Sequence, residues 1–291
     1  MLGPFTPFRS GKLMRFPLLA VLLLALAVMR PAGAASLPAP HAVEITSGTT
    51  LLHAQLYKPD GNGPFPAVIA LHGCGGLAGQ SEPVQRRYRD WAQELLGDGK
   101  AVLFPDSYGS RELGPQCRVK ERRVLARRER VTDIMAARQW LMQQPWVAHD
   151  RISLLGWANG ASALLWAVRP QLSLHHIGPD FRAAIAFYPD CRLSSGLGWS
   201  ARVPTLVLIG GKDDVSSPPA CRQMVEGAHG RSALTRIVVY PDAYHDFDLA
   251  DLPVHAVGPG NDAFDPEKGH VGTDPQARVD SQKRVAEWLS R

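Results

Sequence analysis

The stretch "LLGWANGASALLWAV", residues 154–168, carries an apolar run into a turn with glycine at 156 and again at 160, two residues either side of Ala158. A sharp strand-to-helix turn that presents a nucleophile needs glycine at both places, because neighbouring backbone leaves no room for side chains there. Two glycines at this spacing can equally close an ordinary strand and open an ordinary helix. The rest of the chain decides between these readings.

Working outward, "HAVEITSGTTLLHAQLYKP" reads as two strands around the "SGT" turn, and "FPAVIALHG" is a continuous apolar run suited to a strand covered on both faces. A helix from about Val84 to Leu96 follows, then the strand "AVLFPD", a long helix over Lys120 to Gln144 and the strand "RISLLGW". "RAAIAFYP", "TLVLIGG" and "TRIVVYPD" are three more short apolar runs, a segment around Pro218 to Gly227 can be helical, and a helix over Ala277 to Ser290 closes the chain. Alternation of this kind predicts an α/β fold, a mostly parallel sheet with helices on both faces. The stretch between His245 and Pro275 is rich in Pro, Gly, Asp and Asn and too long for an ordinary connection, so it is expected to be a mobile cover over a pocket.

Reactive groups of such a sheet gather beyond the carboxyl ends of its strands. Three strand ends stand out: "GWANG" after "RISLL", "KDDVSSP" after "TLVLIGG", and His245 after "TRIVVYPDAY". Nucleophile position, Asp and His therefore follow in the chain order of a hydrolase triad. Asp213 is the favoured acid and Asp214 its alternative, either of which can instead cap the helix near Pro218.

With these residues in place, the chain resembles the dienelactone hydrolase family of α/β hydrolases through "LHGCGG", "GWANGA", "FYPDC", "LIGGKDD" and "VYPDAYHDFD". The resemblance implies the α/β-hydrolase fold over residues 36–291 and an ester- or lactone-hydrolysing lineage. It places the nucleophile at Ala158, the acid at Asp213 and the base at His245. The backbone N–H groups of Cys74 and Asn159 become the oxyanion donors. No cofactor or metal is implied, and the expected partner is a small ester or lactone.

The departure falls on the nucleophile itself. Ala158 has no atom that can attack a carbonyl carbon, so acyl-enzyme chemistry through this position is closed. Ser162, one helical turn on, reads as a packing residue, and Cys74 as a structural one. An oxyanion hole with a His–Asp pair alone still gives roughly 10³ to 10⁴-fold acceleration over water in a serine protease, against 10⁶-fold or more for intact enzymes. Retention of Asp213 and His245 favours a recent or artificial loss of the nucleophile. The alternative is a natural non-catalytic protein that keeps the pocket. Arg111 and Arg118 follow the strand end "LFPDSYGS" and are candidates for a substrate carboxylate, set against the reading of surface arginines beside a basic helix.

Charge and cysteines bound the setting. The first 35 residues read as a secretory leader: Arg9, Lys12 and Arg15, then "FPLLAVLLLALAV", then "AGAA". Thirteen apolar residues followed by Arg30 and Pro31 are too few to span a bilayer. Met14 offers an alternative start to Met1. The leader holds four bases and no acid, so only +1 of the net +5 remains in the mature chain, and no nucleic-acid partner is expected. "RVKERRVLARRER", residues 118–130, reads as the solvated face of an amphipathic helix. In an oxidising compartment the four cysteines predict two disulfides, for which the sequence alone allows three pairings. We expect Cys74–Cys117, tying the oxyanion loop to the loop after the next strand, and Cys191–Cys221, joining two strand-end loops.

Overall fold

The run "FPAVIAL" forms β3 (Phe65–Leu71), and its last five residues are buried because both faces of the strand are covered. It lies between β4 (Ala101–Pro105) and β5 (Val147–Trp157), parallel to both. Beyond β5 come β6 (Ala184–Phe187), β7 (Thr205–Gly210) and β8 (Thr235–Tyr240), each parallel to its neighbour. On the other side β2 (Thr50–Tyr57) pairs antiparallel with β4 and with β1 (His41–Ser47). The sheet order is β1-β2-β4-β3-β5-β6-β7-β8, so the expected mostly parallel α/β architecture is present. This computed structural model describes residues 1–5, 37–170, 178–257 and 269–291. Most of the expected leader, 6–35, lies outside the described residues.

Helices occupy the crossovers: α1 (Arg86–Gly97), α2 (Glu129–Leu141), α3 (Asn159–Ala167), the short α4 (Arg192–Gly196) and α5 (Pro218–Gly227), and α6 (Pro275–Leu289) follows the last strand. Ser217 and Asp274 cap α5 and α6 by accepting from the third residue on, and proline fills the first turn in both. Among the described residues no helix is long and apolar enough to cross a membrane.

Two expectations need correction. The helix drawn over Lys120 to Gln144 begins only at Glu129, and residues 118–128 form an irregular loop rather than a solvated helical face. The Glu129 carboxylate accepts the Leu125 N–H, Arg122 donates to the Gln116 carbonyl, and Val124 is buried, so local side-chain bonds displace the helical ladder.

The second correction concerns the segment after His245, expected along its whole length to be a mobile cover. Its described parts are anchored at both ends. Phe247 and Asp248 are buried, Thr273 bonds to Leu249 and Leu252, and β9 (His255–Val257) pairs antiparallel with β10 (Gly269–Val271). Residues 258–268 of the expected cover lie outside the described residues.

Candidate active site

The turn at the end of β5 is built by close backbone approach. A Cβ on Gly156 would lie 2.8 Å from the Ala161 nitrogen, and one on Gly160 would collide with the Leu71 carbonyl oxygen and stand 2.6 Å from that of His72. Ala158 between them has φ 47° and ψ −112°, a conformation that L-residues rarely adopt. Its N–H donates to the Phe187 carbonyl at 3.0 Å and its carbonyl accepts the Ser162 N–H at 2.9 Å, which starts α3. Backbone strain of this kind costs about 1–3 kcal/mol. Here it is held without a nucleophile.

Glycine also brings Asp213 to His245. A Cβ on Gly210, at the end of β7, would collide with the Ala243 carbonyl oxygen and lie 2.8 Å from that of Tyr244. The β7 turn therefore packs directly on the loop after β8, and Lys212 N–H donates to the Ala243 carbonyl at 3.0 Å. Across this contact His245 Nδ1 lies 2.9 Å from Asp213 Oδ2, with both side chains buried. The other Asp213 oxygen accepts the N–H groups of Val215 and Ser216 at 3.0 and 2.7 Å, which fixes the carboxylate. Asp214 is engaged elsewhere: it accepts the His270 N–H and faces that residue's Nδ1 at 2.8 Å.

Below His245 lies an aromatic layer. The Tyr188 ring centroid is 4.3 Å from that of His245. Burial pushes the Tyr188 phenol well above its usual range, and the neutral hydroxyl donates to Asp248 Oδ1 at 2.5 Å. Asp248 Oδ2 accepts from the indole nitrogens of Trp91 and Trp157 at 2.8 and 2.9 Å. One buried carboxylate thus joins α1, β5 and the turn after β6 to the chain that follows His245. Asp246 pairs with Arg87 at 2.7 Å; burial alone would raise its carboxyl, but the guanidinium and His245 outweigh that and hold it below the usual value.

Cys74 lies in the loop after β3, which is fixed by its neighbours. Gly73 N–H donates to the Tyr88 hydroxyl at 2.9 Å, and the Ser107 N–H donates to His72 Nε2 at 3.2 Å. That assigns the ring proton to Nδ1, 2.8 Å from the Gly73 carbonyl. Burial, then the nearby Arg130 charge, hold His72 well below the ordinary histidine value despite the Gly73 bond, so the ring is neutral. Disulfides join Cys74 to Cys117 and Cys191 to Cys221.

Ala158, Asn159, Cys74, Cys117 and His245 line one cavity of about 600 Å³, with apolar walls that include Val124, Leu125, Trp166 and Val215. Asp213 stands behind His245. Ser162 reaches the cavity, but its hydroxyl donates to the Ala158 carbonyl at 3.1 Å and accepts the Asp190 N–H at 3.0 Å. The arginines proposed from sequence are not brought to it. Arg111 makes a two-pronged ion pair with buried Asp133 and donates to the Ser107 carbonyl, and exposed Arg118 is outside the lining. Arg87, Arg122, Arg127 and Arg192 line the cavity instead. Sequence reasoning also missed Arg130 and Tyr108, which hold Asn159. Arg130 was hidden in a basic run read as solvated, and only its place one residue into α2 could have marked it.

A glycine-flanked elbow at the end of the fifth strand, followed by an Asp and a His that meet in space, defines an α/β hydrolase frame. The chain belongs to the dienelactone hydrolase family, whose model matches residues 52–291. It is 25% identical over 236 residues, 73% of this chain and 78% of the relative, to a protein of Escherichia coli (strain K12) described as "Putative carboxymethylenebutenolidase". Its fold is similar to that of a dienelactone hydrolase from Anabaena variabilis, at TM-score 0.60 and 20% identity, covering 87% of this chain and 98% of the other. It is also similar to the dienelactone hydrolase-like promiscuous phosphotriesterase P91 from metagenomic libraries, at TM-score 0.65 and 17% identity with the same coverage.

Proposed function

We propose that the chain is an exported member of an ester- and lactone-hydrolysing lineage that keeps its pocket, oxyanion donors and His–Asp pair but has lost the nucleophile at Ala158. The observation that carries this reading is the strained turn at Ala158, set in one cavity with His245, which Asp213 holds. Asp213 orients the ring, His245 is the base, and the N–H groups of Cys74 and Asn159 receive the carbonyl oxygen. With no oxygen on residue 158, only slow attack by water remains. Two disulfides support a location outside the reducing cytoplasm.

The test is Ala158→Ser. An oxygen there would have His245 to take its proton, and hydrolysis of activated esters should rise at least about 10³-fold, the scale of restoring a member of a cooperating triad. A serine-directed phosphonate should label the variant and leave the parent untouched. A folded variant with neither turnover nor label across an ester and lactone panel would overturn the hydrolase reading.

A second reading, a protein that binds a small ester, lactone or carboxylate without turning it over, is favoured by one observation. The cavity has apolar walls at Val124, Leu125, Trp166 and Val215 and four arginines in its lining, which suit a ligand with an apolar body and a polar or anionic head, although residue 158 presents no nucleophile.

A further inference from the structure

Arg130 is 1% exposed. Its Nη1 donates to Asn159 Oδ1 at 2.8 Å, and the Tyr108 hydroxyl donates to the same oxygen at 2.9 Å. The guanidinium carbon lies 5.4 Å from the Tyr108 ring centroid. Its Nε and Nη2 find no hydrogen-bond partner. Among the described residues no carboxylate pairs with it: Glu129 holds Arg128 and the Leu125 N–H, and Asp133 holds Arg111 and Ser47. A buried cation without a counter-ion is strongly disfavoured, and its field in a weakly polarisable interior is poorly screened. The residue it grips is Asn159, whose main chain borders the room beside Ala158.

We propose that this elbow is a receptor for an organic monocarboxylate. One carboxylate oxygen takes the N–H groups of Cys74 and Asn159, the second fills the room that a nucleophile's oxygen would occupy beside Ala158, and Arg130, acting through Asn159, supplies the compensating charge. The apolar walls of the cavity receive the acid's hydrocarbon part. Four arginines against two aspartates line the cavity and draw an anion toward it. This proposal deepens the ligand-binding reading above and rests on it.

The test is calorimetric titration of the oxidised chain with 4-phenylbutanoate and with the uncharged 4-phenylbutanamide. The acid should bind at least about 10-fold more tightly, a difference of about 1.4 kcal/mol. Asn159→Asp gives Arg130 a counter-ion at nearly constant volume and should abolish the preference for the acid over the amide. Arg130→Met should act the same way and Arg130→Lys should restore part of the preference; if the Met variant does not fold, Asn159→Asp decides. Equal binding of acid and amide, or a preference that survives Asn159→Asp, overturns the proposal. So does unchanged acid affinity in Ala158→Leu, which fills the room beside the elbow and would place the acid on the outer arginines. Methyl 4-phenylbutanoate reads the underlying pocket separately: if this ester binds and the acid does not, the ligand-binding reading stands without the carboxylate proposal. If neither binds, both fall.

Discussion

His245 Nδ1 and Asp213 Oδ2 stand 2.9 Å apart, buried together at the ends of two different strands, in a chain whose elbow presents only a methyl group. In the Ala158→Ser background, Asp213→Asn should cost about 10⁴-fold in turnover, because the ring loses the partner that sets its tautomer. Asp214→Asn, which touches His270 rather than His245, should leave turnover within a few-fold. Ester kinetics on the two double variants distinguish the aspartates that sequence alone left as alternatives.

Gly160 and Gly97 give opposite responses to the same substitution. Gly160→Ala drives a Cβ into the backbone carbonyls of Leu71 and His72 and should destabilise the protein by at least about 3 kcal/mol, if it folds at all. Nothing lies within 4 Å of a Cβ on Gly97, at the end of α1, so Gly97→Ala should be neutral or stabilising by about 0.5–1 kcal/mol. Urea unfolding of the two variants checks both directions.

Asp248→Ala strands three buried donors, on Trp91, Trp157 and Tyr188, each worth about 1–3 kcal/mol when left unpaired. Asp248→Asn keeps an acceptor and should cost markedly less. Because this carboxylate ties down the chain that follows His245, limited proteolysis of the Ala variant should cut after residue 248 sooner than in the parent.

Asp246 provides a pH signature. Its folded-state pKa lies below the unfolded carboxylate value of 3.8, so its stabilisation is complete above that value and is lost as pH falls through the folded one. The stability gap between the parent and Asp246→Asn should be flat at neutral pH and shrink below about pH 4. A gap that widens in acid would show that the Arg87 pair is not its source.

The order of strands, the elbow and the His–Asp pair were legible because each is written locally: apolar runs for β3, β4 and β7, glycine where backbones touch, a polar residue just past a strand end. The sequence could not show where charged groups end up. Residues 118–128 have apolar side chains near helical spacing, but Glu129 takes the Leu125 N–H four residues back, and the Cys117 disulfide, a tertiary contact that spacing does not reveal, holds the loop at the cavity. Arg111, a candidate for a substrate carboxylate set against a surface reading, is consumed by Asp133, 22 residues further along the chain. Asp248 lies in the polar stretch after His245 and carries no local signal of its role, because its three partners lie 60 to 157 residues away.

The positive φ at Ala158 also bears on how readily this chain can change. Every alanine codon is one base from a serine codon, and the backbone around residue 158 already sits in the arrangement a serine there would need. On the function proposed above, a single nucleotide therefore separates the binding chain from the hydrolase, with no intermediate in which the turn must be rebuilt.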